Sequence, residues 1–269
     1  LPDRLRASDP ESRVLAALLG MQGRISEDEM RAMNLTALKK PGSESRVAAD
    51  FLARSLQLSV EVEDTPLLKR LLESTREHLL LVVISLTAAV IVAIPLGIVA
   101  AKRRVVGQVI LSATGTLQTV PSMALLVLLI PLLGIGVKPA LAALFLYSLL
   151  PIVRNTHAGL TQIPASLRES AAALGLPPDA VLRRIELPLA SRSILAGIKT
   201  AAGTNVGTAT LGALIGAGGY GQPILSGIRL NDPGLILEGA RPAAAMALLV
   251  QGLFEIAERT LTPRGLRVA

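Results

Sequence analysis

The sequence contains no cysteine and no tryptophan, and it has only two histidines, His78 and His157. Without cysteine the chain cannot form a disulfide, a thiol nucleophile or a cysteine-ligated zinc site. The two histidines are far apart in the chain, so they do not predict a metal site. Aromatic residues make up 2% of the chain, which argues against a nucleic-acid-binding face of interleaved basic and aromatic residues. No nucleophile, base and acid recur at a workable spacing, so the sequence predicts a protein without catalysis or a cofactor of its own.

Apolar residues are abundant instead. Of 269 residues 51% are hydrophobic, the net charge is +7, and the mean hydropathy is +0.55. Several apolar segments are long enough to cross a bilayer. We predict five spans at about 79–101, 109–133, 139–153, 194–215 and 242–257. The aromatic belt that usually marks the two membrane interfaces is missing, and nothing in the sequence explains its absence.

The stretches outside the spans suggest four parts of the chain. Residues 1–58 read as a small helical soluble segment, 59–78 as a connector along the membrane surface, 79–262 as the transmembrane domain, and 263–269 as a tail. Apolar periodicity within the soluble segment predicts three helices, at 13–26, 26–34 and 43–56.

Two local signals refine these predictions. Ser26 and Glu29 have the spacing of a capping box at the start of the second soluble helix. In the connector, Thr65 and Pro66 are typical of a helix start.

Lysine and arginine are distributed unequally between the loops on the two sides of the membrane. Eleven lie on one side and three on the other, which places the first side in the cytoplasm, the N-terminus outside and the C-terminus inside. The first group is Lys102, Arg103, Arg104, Arg154, Arg168, Arg183, Arg184, Arg192, Arg259, Arg264 and Arg267; the second is Lys138, Arg229 and Arg241.

A polar stretch between the third and fourth predicted spans, ESAAALGLPPDAVLRRIELP, predicts two short helices joined by a bend. Gly175 is placed to end the first helix, and the two prolines after it forbid its continuation. Asp179 is placed to cap the second helix, and Pro188 to stop it. An ordinary loop with surface helices is the alternative.

The spacing within this stretch resembles the EAA loop of binding-protein-dependent ABC importer permeases. The resemblance implies an all-α, polytopic membrane protein with five transmembrane helices of the type I ABC importer (MetI-like) permease fold. It also implies that the loop at 165–190 docks into a partner ATPase, which hydrolyses ATP with Mg. The positions that carry the match are Glu169, Ala171, Gly175, Ile185, Leu187 and Pro188, whereas Ser170 departs from the usual alanine.

Three further runs resemble permeases of the osmoprotectant type: QTVPSMALL at 118–126, LYSLLPIVRNTHAGL at 146–160 and GTATLGALIGAGGYGQPILSGI at 207–228. They imply import of a quaternary ammonium compound such as glycine betaine, choline or carnitine. Residues 1–58 resemble the C-terminal end of a substrate-binding protein of the same type, which implies that most of a binding domain precedes Leu1. A small helical N-terminal extension is the alternative.

Uncharged polar residues lie within the predicted second and fourth spans. Such side chains in membrane helices either bridge helices or line a pathway, and both interpretations remain open here. The candidate pathway residues are Gln118, Pro121, Ser122, Asn205 and Thr208. The glycines at 216, 218, 219 and 221 are not preceded by a strand, so they predict a tight re-entrant turn rather than a phosphate cradle.

Together these features predict the non-enzymatic permease subunit of an ATP-driven importer in the bacterial inner membrane. Its expected partners are a second permease copy in a homodimer, two ABC ATPase subunits, a substrate-binding domain or protein, and the lipid bilayer, with no nucleic acid. The alternatives are a permease of the methionine or alkyl sulfonate type, and a membrane scaffold or sensor subunit.

Overall fold

The computed structural model describes residues 19–39, 44–57 and 66–261. Within these ranges the ordered elements are helices and turns, and no strand occurs. The backbone contacts divide the chain into two compact units. The smaller unit comprises the chain up to Pro66 together with Gly227–Leu235, and the larger unit comprises the remainder.

The smaller unit contains two of the predicted soluble helices, α1 (Glu27–Lys39) and α2 (Glu44–Leu56). The capping box is confirmed at its first half, since Oγ of Ser26 accepts the backbone N–H of Glu29 at 3.2 Å. The two helices contact each other, and Phe51 of α2 is 5% exposed. The predicted helix at 13–26 lies largely outside the described residues.

The remaining helices are α3 (Leu67–Lys102), α4 (Arg104–Thr119), α5 (Ser122–Leu133), α6 (Val137–Thr161), α7 (Ala165–Ala173), α8 (Pro178–Val181), α9 (Leu187–Ala209), α10 (Gly221–Leu230) and α11 (Pro233–Leu261). A π-helical turn, Leu182–Glu186, joins α8 to α9, and a 3₁₀ turn, Thr210–Ile215, follows α9.

The first predicted span is part of a longer helix. Helix α3 begins directly after Pro66 and runs through 36 residues to Lys102. Residues 67–78 of the predicted connector are therefore the first part of this long helix, and they do not form a separate helix. Pro95 lies inside α3, where neighbouring helices allow a membrane helix to tolerate proline.

The second predicted span is not a continuous helix. Helices α4 and α5 meet at an angle of 100°, because Val120 is extended with φ −67° and ψ 128°. A residue that precedes proline is disfavoured in the helical region, and Pro121 follows Val120. The hydroxyl of Tyr147 on α6 donates to the carbonyl of Val120, which satisfies an acceptor that the break leaves free.

Length and composition identify three described helices as able to cross a membrane, namely α3, α6 and α11, and the bent pair α4–α5 as a fourth candidate. Helix α9 holds most of the fourth predicted span but is not among these candidates. It carries Lys199, Thr200 and Asn205, and it packs along α6 and against α3. The total of five spans stays a prediction.

Close contacts between small residues hold α9 and α3 against α6. A Cβ added at Gly97 would lie 2.5 Å from Cβ of Thr156, and one at Gly197 would lie 2.7 Å from the carbonyl oxygen of Pro151. Ile152 and Val153, in the same stretch of α6, are fully buried. Small residues of this kind allow membrane helices to approach closely without a hydrophobic driving force between them.

The contact at Gly197 gives a first testable prediction. Gly197→Ala is expected to destabilise the protein by about 1–3 kcal/mol, because the backbone oxygen that the new methyl group meets cannot turn aside. Gly203→Ala on the same helix is the matched control, since no heavy atom lies within 4 Å of its added Cβ. Thermal unfolding in detergent measures both. Equal melting temperatures for the two variants would show that α9 and α6 are not packed this closely.

Candidate functional site

The bend predicted in the 165–190 loop is present. Helix α7 ends at Ala173, and Gly175 has φ +75°. The N–H of Gly175 donates to the carbonyl of Ala172 at 2.9 Å, and the N–H of Leu176 donates to that of Ala171 at 3.2 Å. These two bonds form the Schellman motif, which needs a left-handed residue at the position of Gly175. An added Cβ would meet no heavy atom within 4 Å, so backbone conformation alone favours glycine here.

The bend carries an exposed apolar side chain at its tip. Leu174, directly before Gly175, is 81% exposed, whereas Ala171 is 2% exposed. Glu169 is also exposed, on the first turns of the loop. Of the other motif positions, Ile185 and Leu187 are half-buried and Pro188 is exposed. The motif thus has one side that faces the rest of the chain and one side that faces outward.

Two sequence predictions about the second half of the loop are wrong. Asp179 does not cap α8, because Pro177 holds the cap position and Asp179 lies in the first turn. Pro188 does not stop the helix either. The chain continues from α8 through the π-helical turn into α9, and Pro188 lies in the first turn of α9. Proline is tolerated there because a first-turn N–H needs no partner within its helix.

Arg168 joins the two ends of the loop. Its guanidinium lies 2.8 Å from the carboxylate of Glu186, which is 12% exposed. The same guanidinium donates to the carbonyl of Leu160 near the end of α6. One side chain therefore connects α6, the start of α7 and the entrance to α9. In the sequence, Arg168 is included only in the count of positive charges that sets the topology. Its pairing with Glu186 could not be predicted, because two residues eighteen positions apart form no local pattern.

The candidate pathway residues on α4 and α5 lie on the surface of this chain. Gln118 and Pro121 are exposed, and Ser122 is half-buried in the first turn of α5. They surround the break between the two helices. Exposed polar groups in an apolar part of a membrane protein are expected to face water or another protein surface.

Asn205 has different surroundings. It is fully buried in α9, and its amide nitrogen donates to Oγ of Ser85 on α3 at 3.1 Å. This bond favours the bridging alternative for Asn205. Thr208, one turn later, is half-buried. Within one chain the structure therefore does not unite Gln118 and Asn205 in one buried site.

The glycine-rich segment after α9 forms the tight turn that the sequence predicts. Gly216, Gly218 and Gly219 have φ values of +77°, +82° and +78°. Tyr220 follows and is 3% exposed, with its ring 4.7 Å from that of His78. The turn is thus packed against the first helix of the larger unit.

Comparisons with a protein-family model and with known sequences point to the same family. Residues 93–264 match the family described as "Binding-protein-dependent transport system inner membrane component". The choline transport system permease protein OpuBB of Bacillus subtilis (strain 168) is 41% identical over 197 residues, which cover 73% of this chain and 91% of that protein. The osmoprotectant import permease protein OsmW of Salmonella typhimurium is 40% identical over 198 residues, which cover 72% and 92%.

A carnitine transport permease protein, OpuCD of Listeria monocytogenes, is 42% identical over 194 residues, which cover 71% of this chain and 86% of that protein. Among solved structures, an inward-facing form of the MetNI methionine ABC transporter gives a TM-score of 0.65. The match covers 74% of this chain and 99% of the MetNI chain, at 23% identity. At this identity the likeness establishes the fold alone.

Proposed function

Because the chain belongs to the family of binding-protein-dependent transport system inner membrane components, and is a multi-pass permease subunit of an ABC importer, we propose that it carries quaternary ammonium osmoprotectants into the cytoplasm. Glycine betaine, choline and carnitine are the substrates named for its relatives. ATP and Mg would be bound by a partner ATPase, and a substrate-binding domain or protein would deliver the substrate.

The substrate class in this proposal is supported by the relatives, and the observation that supports coupling to a partner ATPase is the form of the 165–190 loop. A Schellman bend at Gly175 presents the exposed Leu174 beyond a buried Ala171. The exposed Leu174 at this rigid bend is available for a contact with another protein. In this proposal an ATPase subunit covers that side, and Arg168 transmits its movement to α6 and α9.

Transport itself would occur by alternating access in a homodimer. The exposed polar groups around Gln118 and Pro121 would line the pathway between two copies, because an exposed polar surface at membrane depth needs such an environment. Uncharged groups hold a zwitterion or a cation only weakly, and a carrier must release what it binds. Asn205 would hold α9 on α3 behind this surface.

Uptake tests the proposed substrates directly. Cells that lack their own osmoprotectant importers are expected to take up labelled choline or glycine betaine when they express this chain, its partner ATPase and the binding protein. The Gln118→Leu variant should reduce uptake while the complex still assembles. A wild-type complex that takes up methionine and neither compound would contradict the substrate class.

The orientation is tested by single cysteines, which are unambiguous in a chain without cysteine. In whole cells an impermeant maleimide is expected to label Ser45→Cys and not Ser166→Cys, and lysis should make both reactive. The reason is the excess of lysine and arginine on the loop side. Labelling of Ser166→Cys in intact cells would place the loop outside, where no ATPase can reach it.

A further inference from the structure

One cavity of the larger unit has the carboxylate of Glu77, an exposed residue, beside an apolar lining. Its volume is about 280 Å³, which is close to the lower limit of the range usual for pockets that bind small molecules. Glu77, Gln222 and the glycine turn provide its polar groups. The apolar lining consists of Leu80, Leu81, Ile84, Val137, Leu141 and Ala217.

The glycine turn holds the carboxylate in place. The N–H of Gly219 donates to Oε2 of Glu77 at 2.8 Å. A Cβ added at Gly218 would lie 2.3 Å from the same oxygen, so only glycine leaves room for the carboxylate at this point. Within the described residues, Oε1 accepts no hydrogen bond and no lysine or arginine forms an ion pair with Glu77. The carboxylate of Glu77 thus has no cationic partner among the described residues.

The chemistry of the lining selects among cations. A primary ammonium or a guanidinium donates several hydrogen bonds and needs several acceptors, and the side chains of this lining offer only the Glu77 carboxylate and the amide oxygen of Gln222. A metal ion needs more oxygen ligands still. A methylated ammonium donates no hydrogen bond and presents methyl groups, which fit leucine, isoleucine and valine side chains. The cavity has no aromatic cage to bind such a cation tightly.

We infer that the Glu77 cavity is a weak binding site for a small quaternary ammonium group at the mouth of the permease. Glu77 lies directly before the first predicted span, on the side where the predicted topology places the binding protein. The inference rests on the proposed function, since a substrate released there would meet this carboxylate before it reaches the span region. The amide of Gln222 is available to a carboxylate or hydroxyl group on the same ligand.

Protection of a single cysteine tests the site without any transport. Val137→Cys lines the cavity and is 49% exposed as valine. In the full chain in nanodiscs, tetramethylammonium chloride is expected to slow maleimide labelling about fivefold at about four times its dissociation constant. Sodium chloride at the same ionic strength should not slow it.

The role of the Glu77 charge is tested by variants in the Val137→Cys background. Glu77→Gln keeps an oxygen for the Gly219 N–H but loses the charge, and it should abolish the protection. Glu73→Gln, exposed one turn earlier on α3 and outside the cavity, is the matched control and should retain it. An unchanged labelling rate without ligand shows that each variant keeps the fold.

Uptake then distinguishes this inference from the proposed function. In the assembled complex, Glu77→Gln is expected to raise the KM for choline about fivefold, the effect of one partly solvated charge contact, and Glu73→Gln should not change it. Equal protection by sodium, or full protection in Glu77→Gln, would overturn the site. Normal protection in a complex that transports neither choline nor glycine betaine would support the site and overturn the proposed substrates.

Discussion

Gly175→Asp is expected to insert normally into the membrane but to lose ATPase association or substrate-stimulated ATP hydrolysis. The backbone at Gly175 has φ +75°, a conformation that costs most residues with a Cβ about 1–2 kcal/mol and costs Asn and Asp less. Asp also adds a charge directly beside the exposed Leu174. Each effect acts on the surface proposed to dock, so stimulated hydrolysis should fall by about tenfold or more.

Two variants distinguish backbone strain at position 175 from a clash with the partner ATPase. Gly175→Asn adds a neutral side chain that tolerates the left-handed conformation, whereas Gly175→Val adds a branched side chain that does not. If the bend is what matters, Asn should couple nearly normally and Val should not. If the partner needs the space, both should fail. Co-purification with the ATPase and coupled hydrolysis measure the outcome. Normal values for Gly175→Asp would leave the 165–190 stretch as an ordinary loop.

The sequence could predict the bend because its causes are local. A glycine after a run of alanines, followed by two prolines, leaves few conformations for the chain. The same local rules misjudged Pro188, because they treat proline as a stop. They do not account for a π-helical turn that lets the chain continue through the proline and into α9.

The break in the second span shows a different limit. Hydropathy gives one apolar run from 109 to 133, and only Pro121 indicates that Val120 leaves the helix. Proline is common inside membrane helices, however, and the structure itself keeps Pro95 and Pro151 within α3 and α6. At Val120 the carbonyl finds the Tyr147 hydroxyl, and that tertiary contact has no trace in the local sequence.

The hydrogen-bond partners of buried polar residues could not be predicted from the sequence either. The sequence identified Asn205 as a polar residue at depth but could not provide Ser85 as its partner, which lies on another helix. The sequence did not single out Glu77, because it lies near the end of a polar connector that contains several other charged residues. Its significance depends on the glycine turn that folds back against it from more than a hundred residues away.

Arg168→Met is expected to uncouple the permease while the loop can still bind its ATPase. Methionine is of similar length but cannot donate to the Leu160 carbonyl or pair with Glu186. The carboxylate of Glu186, 12% exposed, would then lack its cationic partner, a loss that costs up to about 3–5 kcal/mol when a pair is fully buried. Because Arg168 is 40% exposed, we expect a smaller cost, about 1–3 kcal/mol, concentrated at the base of the loop.

The measurements are co-purification with the ATPase, which should persist, and substrate-stimulated hydrolysis, which should fall about tenfold. Arg168→Lys keeps the charge but lacks the planar fork that serves two acceptors at once, so it should rescue the activity only in part. Arg183→Ala is the matched control on the same loop. Its pair with Asp179 is exposed on both sides, and such a pair contributes about 0–1 kcal/mol. If Arg168→Met and Arg183→Ala hydrolyse ATP equally well, movement of the loop reaches α6 and α9 without this guanidinium.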